Sequence, residues 1–415
     1  MSYMETLGKN AKIAEPFINS ASTSAKNKAL AEIAAALRNN ISLIIEKNEL
    51  DIINAKENGM SDSMQDRLRL NASRIEDIAS AVEQLIKLTD PVGQITEGFT
   101  RPNGLQIIKT RVPMGVIGII FESRPNVTVD AASLCLKSGN AVILRGGKEA
   151  INSNKCLCSI MREAVKNAGF PEDIIQLVED TSRETSVEMM KLNGYLDVLI
   201  PRGGAGLINA VVQNATVPVI ETGVGNCHVY VDSSADLEMA VNIVNNGKTQ
   251  RPSVCNAVES LIVHKDCADK FLPMIAERFK AHNVEIYGCE ITKNILGENV
   301  LTASEEEYAR EFLDYKISVK VVNSIDEAIA HIRKYSTHHS ECIVTKSLES
   351  SKKFQREIDA AAVYVNASTR FTDGGEFGLG AEIGISTQKL HARGPMGLTE
   401  LTTIKYLING DGQIR

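Results

Sequence analysis

The sequence predicts an α/β protein with two domains, each built on a parallel β-sheet, plus a small β element. From residue 112, apolar runs of strand length alternate with helical patterns, as in parallel sheets covered on both faces. The same alternation resumes in the second half of the chain. The small β element is predicted at residues 96–112, where an Asn103-Gly104 turn flanked by extended runs indicates a hairpin.

The first ninety residues are predicted to be helical. Ser22 offers an N-cap before an apolar stripe at residues 30–37. A second helical pattern covers residues 43–50 and ends near Gly59, and a third covers residues 75–85. We assign these helices to packing.

The strands and helices that follow are predicted from their apolar periodicity. Strands are expected at residues 115–121, 140–144, 174–178, 196–200, 217–221, 260–264, 317–322, 342–345 and 362–365. Helices are expected after Pro125 and at 150–168, 207–211, 237–244, 268–279, 326–334 and 348–358. An extended tail, 401–407, could add a strand to a neighbouring sheet.

Length and composition suit this fold class and exclude several kinds of function. The 415 residues allow two or three domains, and 43% hydrophobic and 23% charged residues are ordinary for a globular protein. A net charge of -7 does not indicate a nucleic-acid or anionic-membrane surface, and no apolar run reaches the length of a membrane span. We therefore expect no nucleic-acid partner and no membrane partner.

The cysteines and histidines indicate neither a disulfide framework nor a metal site. The 8 cysteines form no CxxC pair, and the 7 histidines form no HExxH pattern. The N-terminus also lacks a basic region followed by an apolar stretch. We expect no metal, and a reducing, cytoplasmic location.

Cys255 is the candidate nucleophile. It lies close to Lys248 and Arg251, either in a Gly- and Pro-bearing loop or at the start of a helix near Pro252. Cations and helix N-termini stabilise the thiolate, which is the reactive form. The alternative is a buried cysteine that acts as a small hydrophobe.

Two turns that follow predicted strands are candidates for nucleotide binding. Arg145, Gly146 and Lys148 lie in one turn, and Gly203 and Gly204 lie in the other. Ligands bind at the carboxyl ends of strands in open α/β sheets, and helix N-termini hold anions. Lys148 would suit a 2′-phosphate on an adenosine ribose. For each turn the alternative is a plain strand–helix connection.

Glu221 and Arg370 are further candidates. Glu221 ends a predicted strand, where its carboxylate is either a general base or a structural hydrogen-bond acceptor. Arg370 lies in a Gly-rich tract that also holds Glu376. Arginine recognises carboxylate and phosphate well, and the alternative is a surface charge.

These residues resemble the aldehyde dehydrogenase superfamily and, within it, the gamma-glutamyl phosphate reductase family. Glu221 stands in a Glu-Thr-Gly-Val-Gly-Asn turn, and Cys255 follows in Gly-Lys-Thr-Gln-Arg-Pro-Ser-Val-Cys-Asn. The other matching runs are 112–126, 144–150, 200–204, 327–341 and 369–380. Together they span nearly the whole chain.

The resemblance implies NADPH-dependent reduction of L-glutamyl 5-phosphate to L-glutamate 5-semialdehyde and phosphate, the second step of proline biosynthesis. Cys255 would form a thioester and expel phosphate, and Glu221 is the second catalytic candidate. The expected cofactor contacts are Arg145, Gly146, Lys148, Gly203, Gly204 and Glu376. The expected substrate contacts are Arg124, Arg251 and Arg370.

The resemblance also assigns the domains. Residues 1–95 and 113–229 would bind NADPH, and residues 230–398 would carry catalysis. Residues 96–112 and 399–415 would form an oligomerisation element, which implies a homo-oligomer. Transient contact with glutamate 5-kinase, which makes the labile acyl phosphate, is a further expectation.

One stretch departs from the wider superfamily. Hydrolytic members carry an asparagine in a Trp-Asn-Phe-Pro turn as oxyanion donor, whereas this chain has Glu-Ser-Arg-Pro at 122–125. Ser123 or Asn126 is the candidate substitute, beside the backbone N–H of Cys255. Because an acyl-phosphate reductase needs no base to activate water, Glu221 serves either structure or the reverse direction.

Two other functions compete with this one. A hydrolytic NAD-dependent aldehyde dehydrogenase would oxidise aldehydes without phosphate. A non-catalytic binding protein, such as a scaffold for the kinase, would leave the cysteine loop and the two Gly-rich turns unexplained.

Overall fold

The computed structural model describes residues 1–415 apart from the side chain of residue 63. The helices are α1 (Tyr3–Asn19), α2 (Thr23–Asn39), α3 (Ile41–Glu57), α4 (Asp62–Leu68), α5 (Ala72–Lys87), α6 (Asn126–Lys137), α7 (Ile151–Asn167), α8 (Arg183–Met190), α9 (Ala205–Asn214), α10 (Leu237–Thr249), α11 (Lys265–Lys280), α12 (Glu290–Leu296), α13 (Glu305–Ala309), α14 (Ile325–Tyr335) and α15 (Leu348–Glu357). The strands are β1 (Ile95–Thr100), β2 (Gln106–Pro113), β3 (Val116–Phe121), β4 (Ala141–Arg145), β5 (Ile175–Leu177), β6 (Val198–Arg202), β7 (Cys227–Val231), β8 (Val258–His264), β9 (Glu285–Gly288), β10 (Leu301–Thr302), β11 (Lys316–Val322), β12 (Ser340–Val344), β13 (Ala362–Val365), β14 (Ile385–Ser386), β15 (Gly394–Pro395) and β16 (Thr402–Asn409).

The chain forms two compact units. The first comprises Met1–Thr222, Gly378–Gly384 and Met396–Arg415, and the second comprises Gly223–Phe377 and Ile385–Pro395. Among the described residues, no helix combines the length and apolarity needed to cross a bilayer.

The first unit contains a parallel sheet in the order β5-β4-β3-β6. All six residues of β3 are buried, which explains its continuous apolar run: a parallel strand covered on both faces has no solvent side. The strand predicted at 217–221 is reduced to one bridge between Leu199 and Val219. Pro218 lies inside that segment, and because it has no N–H it cannot extend the ladder.

A separate antiparallel sheet in the first unit has the order β1-β2-β16. The predicted Asn-Gly turn joins β1 to β2, and Gly104 there has a φ of 89°, which glycine adopts readily. The C-terminal tail pairs with β2 from Thr402 opposite Pro113 to Asn409 opposite Gln106. The tail therefore adds its strand to the hairpin.

The second unit contains a parallel sheet in the order β10-β9-β11-β8-β7-β12-β13. β7, β8 and β12 are buried throughout, and helices α10 and α11 pack a hydrophobic cluster against the sheet. β13 matches the predicted strand 362–365, and β8, β11 and β12 match their predictions within two residues. The sheet places the end of α10, the start of β8 and the start of β7 around one loop.

Candidate active site

Cys255 lies in the loop of residues 250–257, which joins α10 to β8. The described backbone of this loop is turn and bend, so the alternative of a helix starting near Pro252 is wrong and the loop placement is confirmed. The Cys255 side chain is half-buried. A half-buried cysteine on a turn remains within reach of a small substrate.

Lys248 does not serve Cys255 as the sequence suggested. Its Nζ lies 2.7 Å from Oε2 of Glu259, and both side chains are fully buried. Burial raises the pKa of Glu259 to about 7 and lowers the pKa of Lys248, because a low-dielectric interior disfavours both charges. Since Lys248 lies in α10 and Glu259 in β8, this pair joins the two ends of the cysteine loop.

The carbonyl of Cys255 is held from the start of β7. The Cys227 Sγ donates to the Cys255 carbonyl oxygen at 3.2 Å. Gly225 packs against the same group, because a Cβ at Gly225 would lie 1.5 Å from that oxygen. The Gly225 N–H in turn donates to Oε1 of Glu311 at 2.6 Å. The Gly225-Asn226-Cys227 run therefore fits against the main chain of Cys255.

One arginine, Arg251, lies in this loop, and a second, Arg370, lies beside it. The Arg370 guanidinium donates to Oε1 of Gln250 at 3.2 Å and to Oδ1 of Asn256. Burial lowers the pKa of Arg370, and the positive charge of Arg251 lowers it further. Two cations that repel each other form a favourable site for an anion. Glu376 is exposed in the same tract, and its N–H approaches Oδ1 of Asp373 at 3.3 Å.

The first candidate nucleotide turn follows β4. Arg145 donates to the carbonyls of Thr181 and Ser182 at 3.0 and 3.2 Å, and burial lowers its pKa. Gly146 is needed for packing, because a Cβ there would lie 2.1 Å from Nδ2 of Asn154. Lys148 is exposed, and it forms no ion pair with the part of the chain that the structure describes.

The second candidate turn follows β6. The Gly204 N–H, just before α9, donates to Oε2 of Glu122 at 3.1 Å. A Cβ at Gly203 would lie 2.4 Å from the same oxygen, whereas a Cβ at Gly204 would meet open space. Because β4, β3 and β6 are parallel neighbours, both candidate turns lie at one edge of the sheet, together with Arg124. The carboxylate of Glu122 occupies a donor that a phosphate would otherwise use.

The two side chains expected to complete the oxyanion hole have other partners. Ser123, which has a φ of 50°, donates to Oε1 of Glu149 from both its N–H and its Oγ, at 2.7 and 2.9 Å. Asn126 donates to Oδ2 of Asp130 at 2.8 Å. Glu221 is half-buried at the end of the first unit, next to Thr222, whose Oγ1 donates to the Pro201 carbonyl.

Three residues with clear contacts were missed in the sequence. In the sequence, Cys227 is one of eight scattered cysteines, and Asn256 is notable only as the residue after Cys255. Glu122 is notable only because its stretch departs from the motif of the wider superfamily. The tight Gly-Val-Gly-Asn-Cys run was a usable signal, because its glycines predict close approach of another backbone. The backbone that it meets cannot be read from the sequence.

The chain matches a known family over most of its length. The model of the aldehyde dehydrogenase family matches residues 4–289. An acetylating aldehyde dehydrogenase from Geobacillus thermoglucosidasius has a similar fold, with a TM-score of 0.72 at 18% identity over 99% of this chain and 97% of that chain.

More similar proteins bear one name. A gamma-glutamyl phosphate reductase from Clostridium novyi is 62% identical over 98% of this chain and 97% of its own length. The same-named protein from Heliobacterium modesticaldum is 59% identical over 100% of this chain and 99% of its length. The crystal structure of the Thermotoga maritima gamma-glutamyl phosphate reductase has a TM-score of 0.97 and 52% identity, and each chain is covered completely. The chain therefore belongs to the aldehyde dehydrogenase family and, within it, to the family of the gamma-glutamyl phosphate reductases.

Proposed function

We propose that this chain catalyses the NADPH-dependent reduction of L-glutamyl 5-phosphate to L-glutamate 5-semialdehyde and phosphate. The observation that carries the proposal is the alignment, over nearly the full length, with relatives named gamma-glutamyl phosphate reductase. The placement of Cys255 in a loop that also carries Arg251, with Arg370 held by Asn256, supports it. In this role the reaction is the second step of proline biosynthesis from glutamate.

In the first step Cys255 acts as the nucleophile. Its thiolate attacks the acyl carbon, a C–S bond forms, and the C–O bond to phosphate breaks with the electron pair leaving on phosphate. Arg251 and Arg370 stabilise the departing phosphate, and Arg124 is a third candidate contact. The backbone N–H of Cys255 is the candidate donor to the oxyanion.

The residues of the first unit fit a nicotinamide dinucleotide. Exposed Lys148 supplies a cation at the carboxyl end of β4. The space beside Gly204 is open near the start of α9, where a phosphate would replace the Glu122 carboxylate at the Gly204 N–H. Arg145 retains a buried Nε without a hydrogen-bond partner among the described atoms. Gly146, Gly203 and Glu376 complete the proposed cofactor set. We assign NADPH rather than NADH because Lys148 suits a 2′-phosphate.

When bound, the reduced nicotinamide supplies a hydride. Cys255 holds the acyl group for this transfer and then leaves as thiolate when the thiohemiacetal collapses to the aldehyde. Because no water has to be activated, Glu221 is not required as a base in the forward direction. Its proposed role is structural or belongs to the reverse reaction.

Assembly and location are part of the proposal. The antiparallel β1-β2-β16 sheet exposes apolar side chains, including Ile95, Phe99 and Ile408, which supports a homo-oligomer built through it. The eight cysteines form no disulfide among the described residues, which suits a reducing cytoplasm. Contact with glutamate 5-kinase would protect the labile acyl phosphate, and we propose it as transient.

The reverse reaction tests the reaction class. Purified protein with glutamate 5-semialdehyde should reduce NADP only when inorganic phosphate is present, and NAD more slowly at equal concentration. Equal rates with and without phosphate would indicate the hydrolytic alternative, with Glu221 as its base. Binding of the kinase with no redox activity would indicate the scaffold alternative.

A further inference from the structure

We infer that Cys227 is a positioning residue for the nucleophile: its buried thiol fixes the peptide that follows Cys255. Cys227 is the first residue of β7 and is fully buried. Its Sγ donates to the carbonyl oxygen of Cys255 at 3.2 Å. The inference deepens the proposed function, since it takes Cys255 as the reacting group.

The thiol of Cys227 stays protonated and therefore remains a donor. Burial, and then the negative charge of Glu341, raises its pKa well above the usual value. The neighbouring His339 does not accept this proton as a base, because burial lowers the pKa of its ring to about 4. The Cys255 carbonyl oxygen, at 3.2 Å from Sγ of Cys227, is nearer than Nδ1 of His339 at 3.6 Å, so the single thiol proton is donated to the main chain of Cys255.

The same peptide is fixed from its other side. The Asn256 carbonyl accepts from Oγ1 of Thr369 at 2.7 Å, and its Nδ2 donates to the Thr372 carbonyl at 2.9 Å. The Asn256 Oδ1 accepts from Arg370. The loop thus links the main chain of the nucleophile directly to the proposed phosphate-binding arginine.

A second chain of contacts returns to Cys227. Oγ1 of Thr372 lies 2.7 Å from Oγ of Ser340, which lies 2.8 Å from Nδ1 of His339. That nitrogen lies 3.6 Å from Sγ of Cys227. The Cys255 carbonyl and the Asn256 side chain therefore belong to one buried network, which runs through Thr372, Ser340, His339 and Cys227. In this network, Cys227 is the residue that contacts Cys255.

This contact bears on catalysis because the peptide plane after Cys255 sets the direction of its side chain. A displacement of about 1 Å in a reacting group can lower a rate by roughly a hundredfold. Arg370 keeps its contact with Gln250 when the Cys227 thiol is lost, because Gln250 lies outside the peptide that this thiol fixes. Loss of the Cys227 thiol should therefore lower kcat and spare KM.

The experiment compares Cys227→Ala, Cys227→Ser and a matched control, Cys267→Ala. Cys267 is a buried thiol of the same unit that also donates at 3.2 Å, but to the carbonyl of His264. Phosphate-dependent NADP reduction gives kcat and KM. Hydrogen exchange of the peptide covering residues 250–257, followed by mass spectrometry, reports the loop without relying on activity.

We expect Cys227→Ala to lower kcat by about tenfold or more, with KM for phosphate within about twofold of wild type. Deuterium uptake at residues 250–257 should rise. Cys227→Ser, which keeps a donor, should recover most of both losses, and Cys267→Ala should change neither.

Two results would overturn the inference. One is equal kcat and equal uptake for Cys227→Ala and Cys267→Ala, which would make Cys227 a packing residue. The other is failure of Cys227→Ser to recover either measurement in a folded protein. If wild type lacks the activity, the proposed function fails, and the exchange measurement still decides whether Cys227 holds the loop.

Discussion

Individual contacts around Cys255 act mainly on its main chain. Its carbonyl accepts from Cys227 and lies against Gly225, while Asn256 ties the next residue to Arg370. When the main chain is fixed before the reaction, the nucleophile is already oriented, and less entropy is lost when the transition state forms. Lys248 is paired with Glu259, so Arg251 and Arg370 are the cations of this loop region that remain as candidates for the site.

Replacing Arg370 tests the proposed phosphate site. Arg370→Ala should raise KM for phosphate in the reverse reaction by about tenfold or more, because it removes a charge-assisted hydrogen bond. The KM for NADP should stay the same. Arg356→Ala, at a guanidinium that is 74% exposed on α15, is the control. An unchanged KM for phosphate would remove Arg370 from the substrate site.

A buried ring predicts acid sensitivity. Burial lowers the pKa of His339 from 6.5 to about 4. As pH falls through this window, the ring binds a proton in the unfolded chain but not in the folded chain, so the free energy of unfolding decreases. For this ring alone the full loss is about 3 kcal/mol.

Urea unfolding at pH 6.5 and pH 4 measures the effect. His339→Asn should lose less stability than wild type over that interval. His282→Asn, at an exposed ring, should behave like wild type. Parallel losses for wild type and His339→Asn would contradict the assignment.

At the scale of elements, the loop that carries Cys255 is bounded by α10 and β8, and one ion pair joins its two ends. Lys248 and Glu259 are fully buried, and Oε1 of Glu259 also accepts from the Leu313 N–H at 3.2 Å. Removing one member leaves the other without its charge partner in a low-dielectric interior. The pair therefore sets the spacing of the loop ends.

Single and double replacements test the Lys248–Glu259 ion pair. Lys248→Met and Glu259→Leu should each destabilise the protein by about 3 kcal/mol, whereas the double variant should cost clearly less than their sum. The control is Lys280→Met, whose pair with Glu277 is exposed and should show no measurable change. Additive losses in the cycle, measured by denaturant unfolding, would show that the pair does not act as a unit.

At the scale of the whole molecule, each unit has its own parallel sheet, and the antiparallel sheet extends the first unit. β1 is exposed along its entire length, and β16 exposes Tyr406 at 56% and Ile408 at 60%. An exposed apolar sheet of this kind usually marks an interface. Its proposed occupant is a second copy of the chain.

A charged residue on this sheet should weaken self-association. Ile408→Asp should shift the oligomer toward smaller species in sedimentation velocity, because burying an unpaired carboxylate is costly. Thr403→Asp lies on the opposite face of the same strand and serves as the control. If Ile408→Asp sediments like wild type, this face is not the interface.

The Asn103-Gly104 turn predicted the hairpin. Periodicity predicted the α/β class and most strands, because buried parallel strands carry long apolar runs. It failed at residues 217–221, where Pro218 interrupts the ladder. For Cys255 the sequence left a loop and a helix start as alternatives, and it assigned Lys248 to the thiol because the partner Glu259 lies in the next strand. The contact from Cys227 depends on how β7 meets the loop, which no local pattern encodes.

The most direct test of the central claim is to detect the acyl group on Cys255. Protein supplied with L-glutamyl 5-phosphate and no NADPH should release about one phosphate per chain and carry a glutamyl adduct on the peptide containing Cys255. Cys255→Ser should show neither the burst nor the adduct. An adduct on another residue, or steady NADPH oxidation by Cys255→Ser at the wild-type rate, would contradict the account.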